Sequence, residues 1–360
     1  MFALGGADVA LAGLLRGASP PALPDAPDPL VLGASEDARL ARRALSIAQV
    51  LSGGMAALEG RLAGADALVA RNLEMLVVAR ALQRRMGDAP RLVYECLDIH
   101  RLLTAEGAAG RMMRAVEARL GRHVDLVITS SPAFVTHHLG RRFGAESILI
   151  AENKVLTEGP LPVPPPAPHA PPFRIGWFGA LRCRRSFDLL AALAARLAGR
   201  VEVVIRGRPS PAVFPDLAAE VARSPFVRFD GPYTAAELPA LYGSVHFSWC
   251  IDFYEEGHNS AWLLPNRLYE SAAHLAVPVA LKDVETGRFL QERGLGLVLN
   301  RHNLDSLVAL FAAMTVARHA ELRQEIAATP PDMWRAGPDE CRALVAAVTG
   351  TGRTERVRSA

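Results

Sequence analysis

Apolar residues follow two alternating rhythms along the chain. Short, nearly continuous apolar runs predict strands at Asp8–Ala12, Pro29–Leu32, Ala67–Ala70, Arg91–Glu95, Leu126–Thr129 and Ser147–Ile150. A second series stands at Arg174–Phe178, Val201–Ile205, Phe226–Phe229, Val245–Trp249, Val277–Leu281 and Leu297–Leu299. Most of these lack polar alternation, as strands covered on both faces do. Between them, helical segments are predicted over Asp37–Leu51, Leu73–Arg85, Arg111–Leu120, Phe187–Leu197 and Ala235–Tyr242. Strand and helix in alternation predict an α/β fold with doubly wound parallel sheets and right-handed crossovers. Asp305 reads as the N-cap of a further helix whose buried stripe is Leu307, Leu310, Phe311 and Met314.

Two series in 360 residues suggest two domains. Between them, Thr157–Pro172 is dense in proline, which forbids helix and sheet and favours an extended spacer. The expected division is a Rossmann-like domain over 1–156, a linker over 157–172, a second Rossmann-like domain over 173–345 and a flexible tail over 346–360. Met1–Leu4 runs directly into Gly5-Gly6 and the first predicted strand. That order reads as the end of a helix, a turn and a second strand, so the expectation is a chain that starts inside the first helix of its domain.

With 40 basic and 37 acidic residues the net charge is only +3, which argues against a nucleic-acid binder, since that needs a concentrated basic face. Cys96, Cys183, Cys250 and Cys341 are scattered without zinc-ligand or redox spacing, and read as reduced thiols of a cytoplasmic protein. No signal-peptide pattern opens the chain, and no apolar run reaches the ~18 residues of a membrane span.

Candidate chemistry clusters at strand exits. In the second half, Arg174–Phe178 leads into a turn at Gly179 and then Arg182, Arg184 and Arg185. Backbone amides at such a turn, a helix N-terminus and guanidinium forks together suit phosphate oxygens. Solvated surface arginines are the plainer reading. Val201–Ile205 exits into Arg206-Gly207-Arg208, where glycine permits close backbone approach. Thr234 and Glu237 form a capping box. Pro265–Glu270 opens a short helix with a lone carboxylate, Glu270, followed by the buried strand Val277–Leu281. A carboxylate near the mouth of a parallel sheet suits sugar hydroxyls. In the first half, Arg71-Asn72-Leu73-Glu74 and Glu95-Cys96-Leu97-Asp98-Ile99-His100 also follow strands. Asp98 or His100 is then a candidate general base, with a structural hydrogen-bond cluster as the alternative.

Together these segments resemble the GT-B glycosyltransferases, in particular glycosyltransferase family 4. Ala70–Met75 and Tyr94–His100 look most like the bacterial exopolysaccharide enzymes of the succinoglycan type. Departures are visible. Ala180 stands where the family has arginine in its Gly-Arg-Leu turn, Arg185 takes the place of its lysine, and Glu270 matches the second of two glutamates set eight positions apart. The first would be residue 262, which here is Trp262. Pro265–Glu270 resembles a Pro-Asn-Lys-Leu-Phe-Glu variant of this group.

The resemblance implies two Rossmann-like domains facing a cleft, with the acceptor on the first and a nucleotide diphosphate sugar on the second. Donor contacts would come from Gly179, Arg182, Arg185, Arg206, Asn266, Arg267 and Glu270, with Glu270 on the ribose. Asp98 and His100 would serve catalysis, and Asn72, Glu74, Glu95, Glu256 and His258 would touch acceptor or sugar. No cofactor and no metal is expected, since cations already face the phosphates and no Asp-x-Asp stands where the other large transferase fold holds its metal. The expected activity is transfer of a hexose, from a UDP-sugar, to a lipid-linked saccharide in exopolysaccharide synthesis, with peripheral contact at the inner face of the cytoplasmic membrane. A nucleotide-sugar epimerase on the same fold, or an inactive nucleotide-sugar binder, are the alternatives.

Overall fold

A computed structural model describes residues 1–15, 28–34, 40–160 and 171–351. The proline-dense linker lies mostly outside them, as do the start of the helix predicted at Asp37 and the end of the tail. The chain forms two compact units. One holds Met1–Glu152 and the segment from Pro338 on, the other Asn153–Gly337.

In the first unit, β1 (Ala12–Leu15) pairs in parallel with β2 (Leu30–Ala34). A separate parallel sheet has the order β3 (Ala67–Arg71), β4 (Arg91–Glu95), β5 (Leu126–Thr129), β6 (Ile148–Ile150). Residues 8–11 are not strand, so the first predicted strand sits about four residues too early. Before it, Gly5 and Ala7 donate backbone hydrogen bonds to Met1 and Phe2 in a tight turn. The helices that matter for the site are α1 (Leu40–Gln49), α2 (Asn72–Arg85), α3 (Arg101–Thr104) and α4 (Ala108–Gly121). Four of the five β4 residues are buried, which is why that strand reads as an unbroken apolar run.

The second unit is built on a six-stranded parallel sheet. Its strands are β8 (Phe173–Leu181), β9 (Val201–Pro209), β10 (Val227–Phe229), β11 (Phe247–Trp249), β12 (Val277–Leu281) and β13 (Leu297–Leu299), in the order β10-β9-β8-β11-β12-β13. The order reverses beside β8, and in open parallel sheets ligands bind at such a switch point, outside the carboxyl ends of the strands. Its helices include α5 (Arg184–Arg196), α6 (Leu238–Gly243), α7 (Asn259–Trp262), α8 (Asn266–Ala273) and α9 (Leu304–Ala313). Phe173, Trp177, Phe247 and Trp249 fill the core beneath them. The N-cap of α9 is Asn303, whose Oδ1 accepts the Ser306 N–H at 2.9 Å, rather than the predicted Asp305. Asp305 is inside the first turn, where its charge still suits the helix N-terminus.

Two features escape the sequence pattern. Val155–Leu156 (β7) pairs in parallel with Arg335–Ala336 (β14), two-residue strands too short to show a period. The last helix, α10 (Pro338–Thr349), then packs on β4 of the first unit, where Arg91 donates to the carbonyls of Ala347 and Val348. The second unit therefore ends at Gly337 and not at the expected residue 345.

Candidate functional site

β8 runs three residues and β9 four residues past their predicted ends, where two glycines face each other in register, Gly179 and Gly207. Both have positive φ, 110° and 141°. A Cβ on Gly207 would stand 1.9 Å from the Gly179 carbonyl oxygen, so the approach requires glycine. The Tyr233 hydroxyl lies 3.9 Å from where a Gly179 Cβ would be, on the open side.

Around this glycine pair stands a polar cluster. Glu270, half-buried on α8, accepts a 2.8 Å hydrogen bond from the Tyr242 hydroxyl on α6. Burial pushes the Glu270 carboxyl above its ordinary range, while Tyr242 and the Arg267 charge act against that. Burial, then the Glu270 charge, pushes the Tyr233 hydroxyl up to about 12, and Tyr242 goes well above its ordinary range for the same two reasons. Both tyrosines are therefore hydrogen-bond donors at neutral pH. His274 stacks on Tyr242, and burial drives its imidazole down to about 4, so a neutral ring backs the tyrosine. Arg267 also reaches the Trp249 carbonyl at 3.4 Å. No side chain caps α8, leaving the amides beside Asn266 facing outward from its N-terminus.

The neighbouring arginines divide by what already holds them. Arg184 is bound by both oxygens of Glu220 and by the Val213 carbonyl, and its guanidinium lies 4.3 Å from the Phe214 ring centre. It ties α5 to the helix beside it. Arg206 donates to the Gly231 and Pro232 carbonyls and to Glu237 at 3.0 Å, fastening the turn that carries Tyr233 to the Thr234–Glu237 capping box. Arg182 and Arg185 are held instead by the loop after β11. Arg182 meets Asp252 at 3.6 Å and the Tyr254 ring at 4.8 Å. Arg185 meets Glu256 at 2.9 Å and the Phe253 ring at 4.2 Å. Ser186 anchors the start of α5 by accepting from the Trp249 indole at 3.1 Å. Within the loop, His258 makes an edge contact with Trp262. An open cavity of about 580 Å³ lies beside Arg185, lined also by Asp188, Asp283, Asn300, Arg301 and His302. Glu270 does not line it, so the carboxylate cluster and this cavity are distinct features of the same unit.

In the first unit, Glu95 at the end of β4 pairs with Arg71 at the end of β3, Nε to Oε2 2.5 Å, where the two residues are in register. Asn72 adopts a positive φ of 71° at the start of α2, and Glu74 sits in that helix's first turn. Asp98 is exposed, and its carbonyl accepts a weak contact from Cys96 Sγ. Burial raises the Cys96 thiol to about 12, which makes it inert. His100 caps α3, its Nδ1 accepting the Leu102 N–H at 3.2 Å. That bond fixes the orientation of the ring.

The structure thus sets Gly179 near the Tyr233 hydroxyl, fastens the turn before Tyr233 with Arg206, and places Glu270 and Arg267 where their charges act on that hydroxyl, while Arg182, Arg185 and Glu256 are joined through the loop Asp252–Trp262. Sequence reasoning missed Tyr233 as a side chain and Tyr242 altogether. Tyr242 lies 28 residues from Glu270, and no local pattern links them.

No family model matches the sequence. Solved structures do match its fold. Anabaena HepE in complex with UDP and glucose is 15% identical, covering 90% of this chain and 86% of that one, with a TM-score of 0.62. Sucrose-phosphate synthase from Thermosynechococcus elongatus is 13% identical, covering 91% and 82%, with a TM-score of 0.60. The two units of parallel sheet and helix, with these neighbours, define the class: the GT-B fold of the glycosyltransferases. More narrowly, the succinoglycan biosynthesis protein ExoL of Rhizobium meliloti (strain 1021) is 45% identical over 353 residues, 95% of this chain and 86% of that protein. The chain belongs to that protein's family.

Proposed function

We propose that the protein is a glycosyltransferase of exopolysaccharide synthesis that moves a hexose from a UDP-sugar to a lipid-linked saccharide. The observation that carries this is the Glu270 carboxylate, held by Tyr242 and acted on by the Arg267 charge, on the Tyr233 side of the Gly179–Gly207 pair. A nucleoside needs such a site: a carboxylate for the ribose hydroxyls, and backbone open enough for a flat base. Membership in the family of a succinoglycan biosynthesis protein, and the presence of UDP-glucose in one HepE complex, support the same reading.

In this reading the second unit takes the donor. Glu270 accepts the ribose hydroxyls, and Gly231–Tyr233 lies against the base. The free amides of α8, with Arg267, Arg182 and Arg185, receive the diphosphate. When the sugar–oxygen bond breaks, negative charge grows on the departing diphosphate. Guanidinium groups and amides fixed in advance stabilise that charge more in the transition state than in the ground state. Asp252 and Glu256 occupy Arg182 and Arg185, so a diphosphate competes with those carboxylates. The first unit takes the acceptor, with Asp98 or His100 Nε2 accepting the proton of the attacking hydroxyl and Asn72, Glu74 and Glu95 orienting the sugar. The acceptor's lipid brings the protein to the inner face of the cytoplasmic membrane.

The test is a UDP titration followed by turnover with UDP-hexose and membrane extract. UDP binding, and UDP release only when acceptor is added, is the expected result. Isomerised sugar from donor alone would instead indicate an epimerase, and binding without turnover an inactive binder.

A further inference from the structure

Three segments of the second unit converge on the open cavity of about 580 Å³. That volume lies within the roughly 300–1,000 Å³ of small-molecule sites. One face of α5 supplies Asp188 and Leu189, the segment after β12 supplies Asp283, and the segment from β13 into α9 supplies Asn300, Arg301 and Leu304. The fold makes little use of the polar groups. Asp283, Asn300 and Arg301 are exposed, and none of their side chains makes a hydrogen bond or ion pair among the described residues. Asp188 has a 3.9 Å ion pair with Arg184, whose guanidinium is already bound by both oxygens of Glu220. Leu189, Ala192 and Leu304 are half-buried and give the cavity an apolar wall.

Charges of both signs therefore line one cavity, and Asp283 and Arg301 stand there without pairing. A phosphate site would not keep two carboxylates, Asp188 and Asp283, on its wall, because like charge repels the ligand. A metal ion needs several oxygen or nitrogen ligands, and among the described residues no three His, Cys, Asp or Glu side chains stand together to hold one. A hydroxyl group both donates and accepts. A molecule that bears several can donate to the carboxylates while it accepts from arginine and asparagine. A sugar ring adds C–H faces that pack on an apolar wall. We propose that this cavity binds a neutral saccharide, one or two hexopyranose units long, at a site separate from the Glu270 cluster. Asp188 and Asp283 accept the sugar hydroxyls, Asn300 and Arg301 donate to them, and Leu189 and Leu304 lie against the ring. Glu270 does not line the cavity, and Arg185 stands at its edge, paired with Glu256. In the transfer reaction proposed above, such a site gives the growing glycan a hold on the unit that takes the donor. That purpose depends on the proposed reaction. The binding does not, and it is tested without turnover.

The experiment is a saturation-transfer NMR titration of the full chain with cellobiose, maltose and lactose, with inorganic phosphate as a competitor. Saturable binding of at least one disaccharide is expected, unaffected by phosphate. Asp283→Ala and Arg301→Ala should each weaken it roughly tenfold, the loss of one charge-assisted hydrogen bond. Glu270→Gln should leave it unchanged. Asp283 and Arg301 are exposed, and an unchanged melting temperature checks each variant's fold. UDP titrated into the same two variants should bind as it does to the parent chain. The proposal is overturned if no disaccharide binds, if phosphate displaces it, or if both variants bind it like the parent. It is overturned too if they lose UDP affinity by the same factor, because the cavity would then be part of the donor site. If UDP fails to bind the parent chain while the disaccharide result stands, the donor assignment falls and the saccharide site remains.

Discussion

Replacing Glu270 by Gln separates the cost of a carboxylate to the fold from its use to a ligand. Gln keeps the shape and can still accept the Tyr242 hydroxyl bond of 2.8 Å, so local geometry survives. Burial raises the Glu270 carboxyl above its unfolded value. The folded chain therefore holds that proton to higher pH than the unfolded chain does. Its favourable contribution is complete below the unfolded pKa and is lost as pH rises through the folded one. At pH 7.5 the ionised group is a cost to folding that Gln removes, and at pH 4 a protonated Glu and a Gln are nearly equivalent. Melting curves from pH 4 to 8 should show Glu270→Gln equal to the parent at low pH and more stable at neutral pH. Ligand binding should move the other way. Hydrogen bonds from ribose hydroxyls to a carboxylate are charge-assisted, worth about 1.5–3 kcal/mol, so UDP affinity should fall roughly ten- to hundredfold by calorimetry. A variant destabilised at pH 7.5 but not at pH 4, or one that binds UDP as the parent does, would refute the reasoning.

Other substitutions probe the neighbours. Tyr242→Phe removes the donor that stabilises ionised Glu270, so the pH at which UDP binding is half lost should rise and the melting temperature at neutral pH should fall. Glu256→Gln frees Arg185, and UDP affinity should rise a few-fold; if Glu256 instead contacts the sugar, UDP binding stays level and UDP-hexose binding weakens. Gly207→Ala forces a Cβ against the Gly179 carbonyl and should cost more than about 2 kcal/mol in chemical denaturation, with donor binding lost as the strands part. Glu117→Ala leaves Arg142 and His138 facing a buried vacancy and should cost about 3–5 kcal/mol, read from the same denaturation curves.

The sheet strands were legible because parallel strands are covered on both faces. Burial then writes a continuous apolar run, and β4, β5, β12 and β13 stand where their runs stand. The helix carrying Glu270 was legible for a related reason, since a single carboxylate among small and apolar neighbours stands out locally. The sequence by itself therefore determined the alternating α/β order, the two series of strands and which short segments end at the mouth of a sheet.

Tertiary structure decided the rest, because the deciding contacts join residues far apart. Arg184 and Arg185 are adjacent and chemically alike, yet Glu220 and Phe214 consume one while a loop carboxylate holds the other. Helical twist points neighbouring side chains in different directions, and only the fold says what waits there. The same holds for Tyr242 on Glu270, for the glycine pair that lengthens β8 and β9, and for α10 returning to β4. Local pattern fixes a side chain's type and its place along an element. Its partner, and so whether its charge is spent on the fold or left for a ligand, is set by chain segments that only folding brings together.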